Sequence, residues 1–238
     1  MPRFIAILYP LLSLLSQVLV SLLLGLALLP SFLFLRWTWT QLDGSANTVW
    51  GALILCLALG FSFVIFGNAL LVVIVLVRRI FRIRNRERKG QVFPFDSLTT
   101  GLNNLLLNTA SMFYLPVLKS GYFSSWFYRA MGAKIGKGTI IATHRLWDCD
   151  LIEIGENCII GGNASISAHY AKGARGRTQR VRIGNKVTIG ANTAVMAGVV
   201  IEDDVVVGGN SLVPLGMRLK SGGIYVGVPV VRVNLLSD

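Results

Sequence analysis

Two transmembrane α-helices followed by a β-solenoid is the fold that this sequence predicts, and three observations predict it. Aliphatic residues recur at intervals of six at Ile183, Ile189, Val195, Ile201, Val207 and Val213. Residues 5–35 and residues 51–77 each lack any charged side chain. The mean hydropathy is +0.63 and 53% of the 238 residues are hydrophobic, an average that soluble chains rarely reach.

Each uncharged stretch exceeds the roughly 20 residues that cross a bilayer core. Pro10 and Pro30 are expected to trim or kink the first helix. A cleaved signal peptide is the competing reading, but the apolar run is too long for one and carries no small-residue cleavage pattern. Between the two helices a short loop with Trp37, Trp39 and Trp50 places aromatic rings at an interface.

Beyond the second helix stand seven cations, Arg78, Arg79, Arg82, Arg84, Arg86, Arg88 and Lys89, against the single acid Glu87. This run carries much of the chain's net charge of +12. Its place beside an apolar span follows the positive-inside rule, which puts the N-terminus and the solenoid in the cytoplasm. The same position favours anionic lipid headgroups as its partner over nucleic acid. The anchor is thus expected to cover residues 1–90.

Residues 91–130 form a connector. Leu98, Leu102, Leu105 and Leu106 fall at helical spacings, and Phe113, Tyr114, Tyr122, Phe123, Trp126, Phe127 and Tyr128 follow around Pro116 and Gly121. Such helices either lie in the membrane interface or pack on the first coil of the solenoid, and periodicity does not separate the two readings.

From residue 131 to 238 the period of six takes over. A unit such as Ile183-Gly184-Asn185-Lys186-Val187-Thr188 suits a short strand and a tight corner, because Gly and Asn accept the positive φ that a corner demands. No hexad buries its aliphatic residue alone, so stability comes from stacking coil on coil. An earlier run, Ile154, Ile160 and Ile166, shares the period and is preceded less regularly by Ile135 and Ile141. Ile166 and Ile183 are out of step, and the intervening residues 169–180 contain Lys172, Arg175, Arg177 and Arg180 with Gly173 and Gly176. That composition predicts a loop thrown out of a corner.

Over residues 131–233 the chain resembles the left-handed β-helix hexapeptide acyltransferases. The resemblance rests on the Ile-Gly hexads, on a histidine opening an extruded loop, and on the ending Val226-Gly227-Val228-Pro229. It implies a left-handed parallel β-helix, a homotrimer with active sites between neighbouring solenoids, and acetyl-CoA or another acyl-CoA as co-substrate. It also implies that His169 is the general base, a role suited to imidazole because its proton exchanges near neutral pH. His169 follows Ile166 by a slightly shorter approach than in the sugar acetyltransferases of this type.

The other histidine, His144, is expected one turn below, where it orients the acceptor or donates to the tetrahedral oxyanion. Asp148, Asp150 and Glu153 are candidates for orienting an imidazole, or else ordinary turn residues. The resemblance nominates Ala197, Gly198, Gly209 and Ser211 for the pantetheine arm, although small residues are equally needed to turn the coil. Arg218, Lys220 and Arg232, with the arginines of the loop, are candidates for the CoA phosphates.

Cys56, Cys149 and Cys158 make neither a disulfide framework nor a zinc spacing. A carbonic anhydrase of the γ type shares the solenoid but needs three histidines for its zinc, and two are present. No metal is expected. The leading expectation is a membrane-bound acyltransferase acting on a membrane-associated acceptor such as a lipid-linked sugar, a glycolipid or a lipid headgroup. The alternatives are an amide-forming enzyme similar to the C-terminal regions of polyamino-acid synthetases, using a carrier-bound thioester, and a non-catalytic trimeric scaffold.

Overall fold

The computed structural model describes residues 3–42, 44–87, 94–118, 121–172 and 175–233. Arg88, Lys89 and Gly173 of the sequence analysis lie outside them. The chain divides into two compact units, Met1–Val77 and Arg78–Asp238.

The first unit holds α1 (Arg3–Gln41) and most of α2 (Val49–Ile80). Both are long and apolar enough to cross a bilayer, with a mean hydropathy of 2.6 over their most apolar windows. Helix α1 is longer than expected and continues through both Pro10 and Pro30. Trp37, Trp39 and Trp50 consequently sit on exposed helix ends and not in the connecting loop. Ser31 Oγ donates to the carbonyl of Ser62 at 2.8 Å, one polar tie between two otherwise apolar helices. Leu22, Phe32, Leu59 and Phe61 are left exposed along their length.

The second unit is a triangular parallel β-solenoid of about five turns. Its first face stacks Lys134–Ile135, Ile152–Ile154, Val181–Ile183, Val200–Ile201 and Arg218–Leu219. The second stacks Ile140–Ile141, Ile159–Ile160, Thr188–Ile189, Val206–Val207 and Ile224–Gly227, with Val230–Val233 folded back antiparallel on the last. The third stacks Arg145–Trp147, Ser165–Ser167, Ala194–Val195 and Leu212–Val213.

The period of six is the distance from one face to the next. Ile154, Ile183, Ile201 and Leu219 lie in one register, as do Leu146, Ile166, Val195 and Val213, and all are buried. Corners recur with the same period: Lys186, Asn192, Gly198, Asp204, Asn210, Gly216 and Gly222 all have positive φ. Gly reaches this conformation without a Cβ clash, and Asn and Asp are the side-chain-bearing residues that tolerate it best, which together account for all of these positions but Lys186.

Two further helices, α3 (Pro94–Phe113) and α4 (Tyr122–Ala130), lie on the first coil. Leu106, Leu107, Ala110, Tyr114, Leu115, Phe127, Tyr128 and Met131 are buried there. Ser111 Oγ donates to the His144 carbonyl at 2.7 Å, and Tyr128 OH to that of Thr143 at 3.4 Å. These helices cap an end of the stack that would otherwise expose its core. Met112, Phe113, Tyr122, Phe123 and Trp126 on these helices, and Val117 on the 3-10 segment between them, stay exposed.

The insertion departs from its expected form. It is a two-stranded antiparallel hairpin, His169–Lys172 with Arg175–Thr178, in which His169 pairs with Thr178 and Tyr170 with Arg177. Backbone pairing satisfies its polar groups without a core, so polar composition did not preclude strands.

Candidate active site

The site begins where the repeat is least regular. After Arg145–Trp147 the chain turns through Asp148 and a short 3-10 segment, Cys149–Leu151, before regaining the first face at Ile152. Asp148 has φ 58° and no solvent exposure. One coil above, at the same third-to-first corner, His169 opens the hairpin. Its Nδ1 meets Asp148 Oδ2.

A carboxylate only accepts hydrogen bonds, so Nδ1 carries the shared proton and Nε2 of a neutral ring keeps its lone pair. The Asp148 hydrogen bond raises the His169 pKa above its ordinary value; partial burial works against this, and the carboxylate charge adds to it. Ser167 Oγ lies 3.3 Å from Nδ1 and 3.2 Å from the His169 carbonyl, which fixes the approach to the ring. His169 lines a cleft of about 570 Å³ together with Trp147, Ser165 and Ser167 from the third face and Asn104, Leu105 and Asn108 from α3. Asn104 and Asn108 stand one helical turn apart and so turn amides toward the same space.

The other acidic candidates serve different ends. Asp150 pairs with Arg78 and accepts from the backbone N–H of Asn85 at 2.8 Å. Gly132, at φ 96°, makes room for that pair, since a Cβ there would strike both Asp150 Oδ1 and the Arg78 guanidinium. Partial burial disfavours the Glu153 charge, but the Lys134 hydrogen bond and the charges of Arg180, Lys134 and Arg182 prevail and lower its pKa. Of the three acids, Asp148 alone meets an imidazole.

The histidines occupy different corners. His144 lies between Ile140–Ile141 and Arg145–Trp147, at the second-to-third corner, so the residue one coil below His169 is Asp148 and not His144. The nominated donor residues divide in the same way. Ala197 and Gly198 share the His169 corner, whereas Gly209 and Ser211 share that of His144. Ala197 is buried, which leaves only its backbone to offer, and its carbonyl accepts from Gly216 N at 2.9 Å. Gly198 has φ 74° and touches the Gln179 side chain so closely that a Cβ would collide with it. Ser211 Oγ accepts from Gly227 N at 3.1 Å.

Arg218 is engaged by Glu202 at 2.7 Å, while Lys220 and Arg232 are exposed. Among the described residues no cluster of three or more His, Cys, Asp or Glu side chains is placed to hold a metal ion.

Residues 180–214 match the bacterial transferase hexapeptide (six repeats), and residues 152–169 match the hexapeptide repeat of succinyl-transferase. Both matched stretches lie in the solenoid and are models of hexapeptide-repeat transferases. This hexapeptide-repeat chain is 40% identical over 113 residues to the Bacillus subtilis protein YvoF, named as an acetyltransferase, a match covering 46% of this chain and 64% of that one. It is 28% identical over 110 residues to the delta-poly-L-ornithine synthetase of Acinetobacter baumannii, covering 46% of this chain and 8% of the synthetase. The chain therefore spans less than two thirds of either relative's length. A hexapeptide-repeat acetyltransferase from Vibrio cholerae, solved with acetyl coenzyme A, superposes with a TM-score of 0.46 and 14% identity, covering 67% of this chain and 98% of that one.

Two parts of the candidate site were not expected from the sequence. Asn104 and Asn108 sit on the helix whose leucines drew attention, and their spacing of four was the available signal. Asn85 donates from Nδ2 to Asp148 Oδ1 at 2.8 Å and was hidden among arginines.

Proposed function

We propose that this chain is a membrane-bound acyltransferase that moves an acetyl or other acyl group from acyl-CoA to a hydroxyl or amine of a membrane-associated acceptor. The observation that carries the reading is the buried Asp148 carboxylate on His169 Nδ1, with the ring at the edge of a cleft. Nε2 of His169 takes the acceptor's proton as its oxygen or nitrogen attacks the thioester carbonyl carbon. The C–S bond then breaks, and the CoA sulfur leaves with the proton held by the imidazolium. Asp148 stabilises that imidazolium and keeps the ring in the reactive tautomer.

The acceptor is read as membrane-associated because α1 and α2 are long and apolar enough to span and because the connector leaves Met112, Val117, Tyr122 and Phe123 exposed. The exposed Arg79, Arg82, Arg84 and Arg86 suit anionic headgroups. Arg78 is buried with Asp150 and drops out of that set. A homotrimer accounts for the division of the nominated residues between two corners of a triangular prism, since the His144, Gly209 and Ser211 corner of one copy then faces the His169 corner of the next.

Similarity to the delta-poly-L-ornithine synthetase supports a second reading, with a carrier-bound thioester as donor. Incubating the detergent-purified full chain with labelled acetyl-CoA and a membrane lipid extract separates the two. Label is expected in one lipid or glycolipid species with wild type and not with His169→Ala. Equal transfer by both proteins would remove His169 as the base, and no binding of acyl-CoA would favour the carrier-bound donor.

A further inference from the structure

The basic run after α2 is not simply a solvated stripe. From Ile83 to Arg86 side-chain burial alternates: Ile83 and Asn85 are buried, while Arg84 and Arg86 are exposed. The segment is fastened at both ends. At its start, Arg78 pairs with Asp150 and donates to Asn103 Oδ1 of α3 and to the Ala130 carbonyl, each at 3.3 Å. Ile83 N returns to the Arg78 carbonyl at 3.0 Å, closing the helix end. At its far end, the Arg86 carbonyl accepts from Thr178 Oγ1 of the hairpin at 2.7 Å.

Asn85 lies between these fastenings. Its backbone N–H donates to Asp150 Oδ2 and its Nδ2 to Asp148 Oδ1, both at 2.8 Å. Asp148 is wholly buried, and its other oxygen serves His169. A buried carboxylate with one oxygen unserved is strongly destabilised, so the Asn85 amide both sustains the charge and sets the plane in which Oδ2 faces the ring. The Asn85 amide oxygen, by contrast, has no hydrogen-bond partner among the described residues. Burying an amide for the sake of one donor is the pattern of a group held for what that donor does.

We infer that Asn85 is a positioning residue of the active site, acting on His169 through Asp148, and that the strap from Arg78 to Arg86 is part of the catalytic unit. The inference rests on His169 being the base of the proposed function. The ionisable groups around this cluster are Asp148 and Asp150 on the coil below, Arg78 and Glu87 along the chain from α2, Cys149 and Tyr128 buried beside them, and Arg180 beyond Asp150, close to Glu87 and paired with Glu153. Asn104 and Asn108, facing His169 from α3, are neutral.

The test uses the full chain in detergent with two readouts, the imidazole titration of His169 by NMR and the pH profile of acyl transfer. Only two histidines are present, so His144→Gln assigns the resonances. Asn85→Ala removes the donor to Asp148 and leaves the carboxylate's charge directed more fully at the imidazole, so the His169 midpoint is expected to rise by about half a unit. Asn85→Asp adds a negative charge at the same place with nearly the same shape, and the rise is expected to be larger. In both variants kcat falls about tenfold while the KM for acyl-CoA stays within about twofold, because the donor site is untouched.

If Asn85→Ala does not fold, the isosteric Asn85→Asp carries the test alone. A His169 midpoint unmoved in a folded variant, or a kcat equal to wild type, overturns the inference. The titration needs no substrate, so absence of transfer by wild type would count against the proposed function and leave the role of Asn85 decided by NMR.

Discussion

The coils from Val181 onward and the two coils before them are built on one plan and put to different uses. In the later coils the positive-φ positions keep a strict spacing, and the stacked strands repeat an aliphatic side chain in register until Tyr225 takes that place in the last one. In the earlier ones Asp148 occupies such a position before an extra 3-10 turn, and the hairpin at His169 interrupts the next pass through the same corner. Regularity gives stacking energy and leaves little room for a polar group inside. Departure from it lets one coil hold a buried carboxylate under the imidazole of the next.

The strongest way to break this contrast is to remove the chemistry from the irregular coils. His169→Ala is expected to lower kcat/KM by about 10³-fold with the melting temperature nearly kept, as transfer assays and thermal melts will read. Asp148→Asn should cost about 10²-fold and also move the acid limb of the pH profile downward, because the Asp148 hydrogen bond is the first cause of the raised His169 pKa.

The sign is opposite for stability. A raised folded-state pKa means that the ion pair contributes fully below the ordinary histidine value of about 6.5 and that its contribution fades as pH rises through the folded pKa. Activity rises over that same interval, since the base must be neutral. Melting curves of wild type and Asp148→Asn recorded from pH 5 to about pH 9 should therefore converge at the alkaline end as far as this pair is concerned.

In the regular coils the expectation reverses. Ile189→Ala, at a wholly buried stacking position, should destabilise by about 2–5 kcal/mol in chemical denaturation while leaving the pH profile of surviving activity unchanged. The smallest effect is expected at Arg218. Its pair with Glu202 is exposed, and Arg218→Ala should leave the denaturation midpoint nearly unchanged; a rise in the KM for acyl-CoA would place it at the donor phosphates.

What could be read from sequence follows the same division. The period of six exposes itself because each hexad must bury one aliphatic residue, and the break between Ile166 and Ile183 marks the insertion for the same reason. Asp148 was one of three nearby acids, and only a pass round the coil tells which of them returns beneath His169. Asn85 carries no periodic signal: the alternating stretch, residues 83–86, is too short to stand out, and its exposed members are arginines of a basic run. The connector resisted a single reading because one side of it covers the first coil and the other keeps a row of exposed apolar side chains.

The strap also changes where the catalytic part of this chain begins. Repeat matching starts it at residue 152, and resemblance starts it near residue 131. The hydrogen bonds start it at Arg78, immediately after the segment expected to cross the bilayer. A shortened protein cut near residue 131 would keep every coil, Asp148 and the histidine, yet lose the Asn85 amide that serves that carboxylate. Homology and working boundary need not coincide.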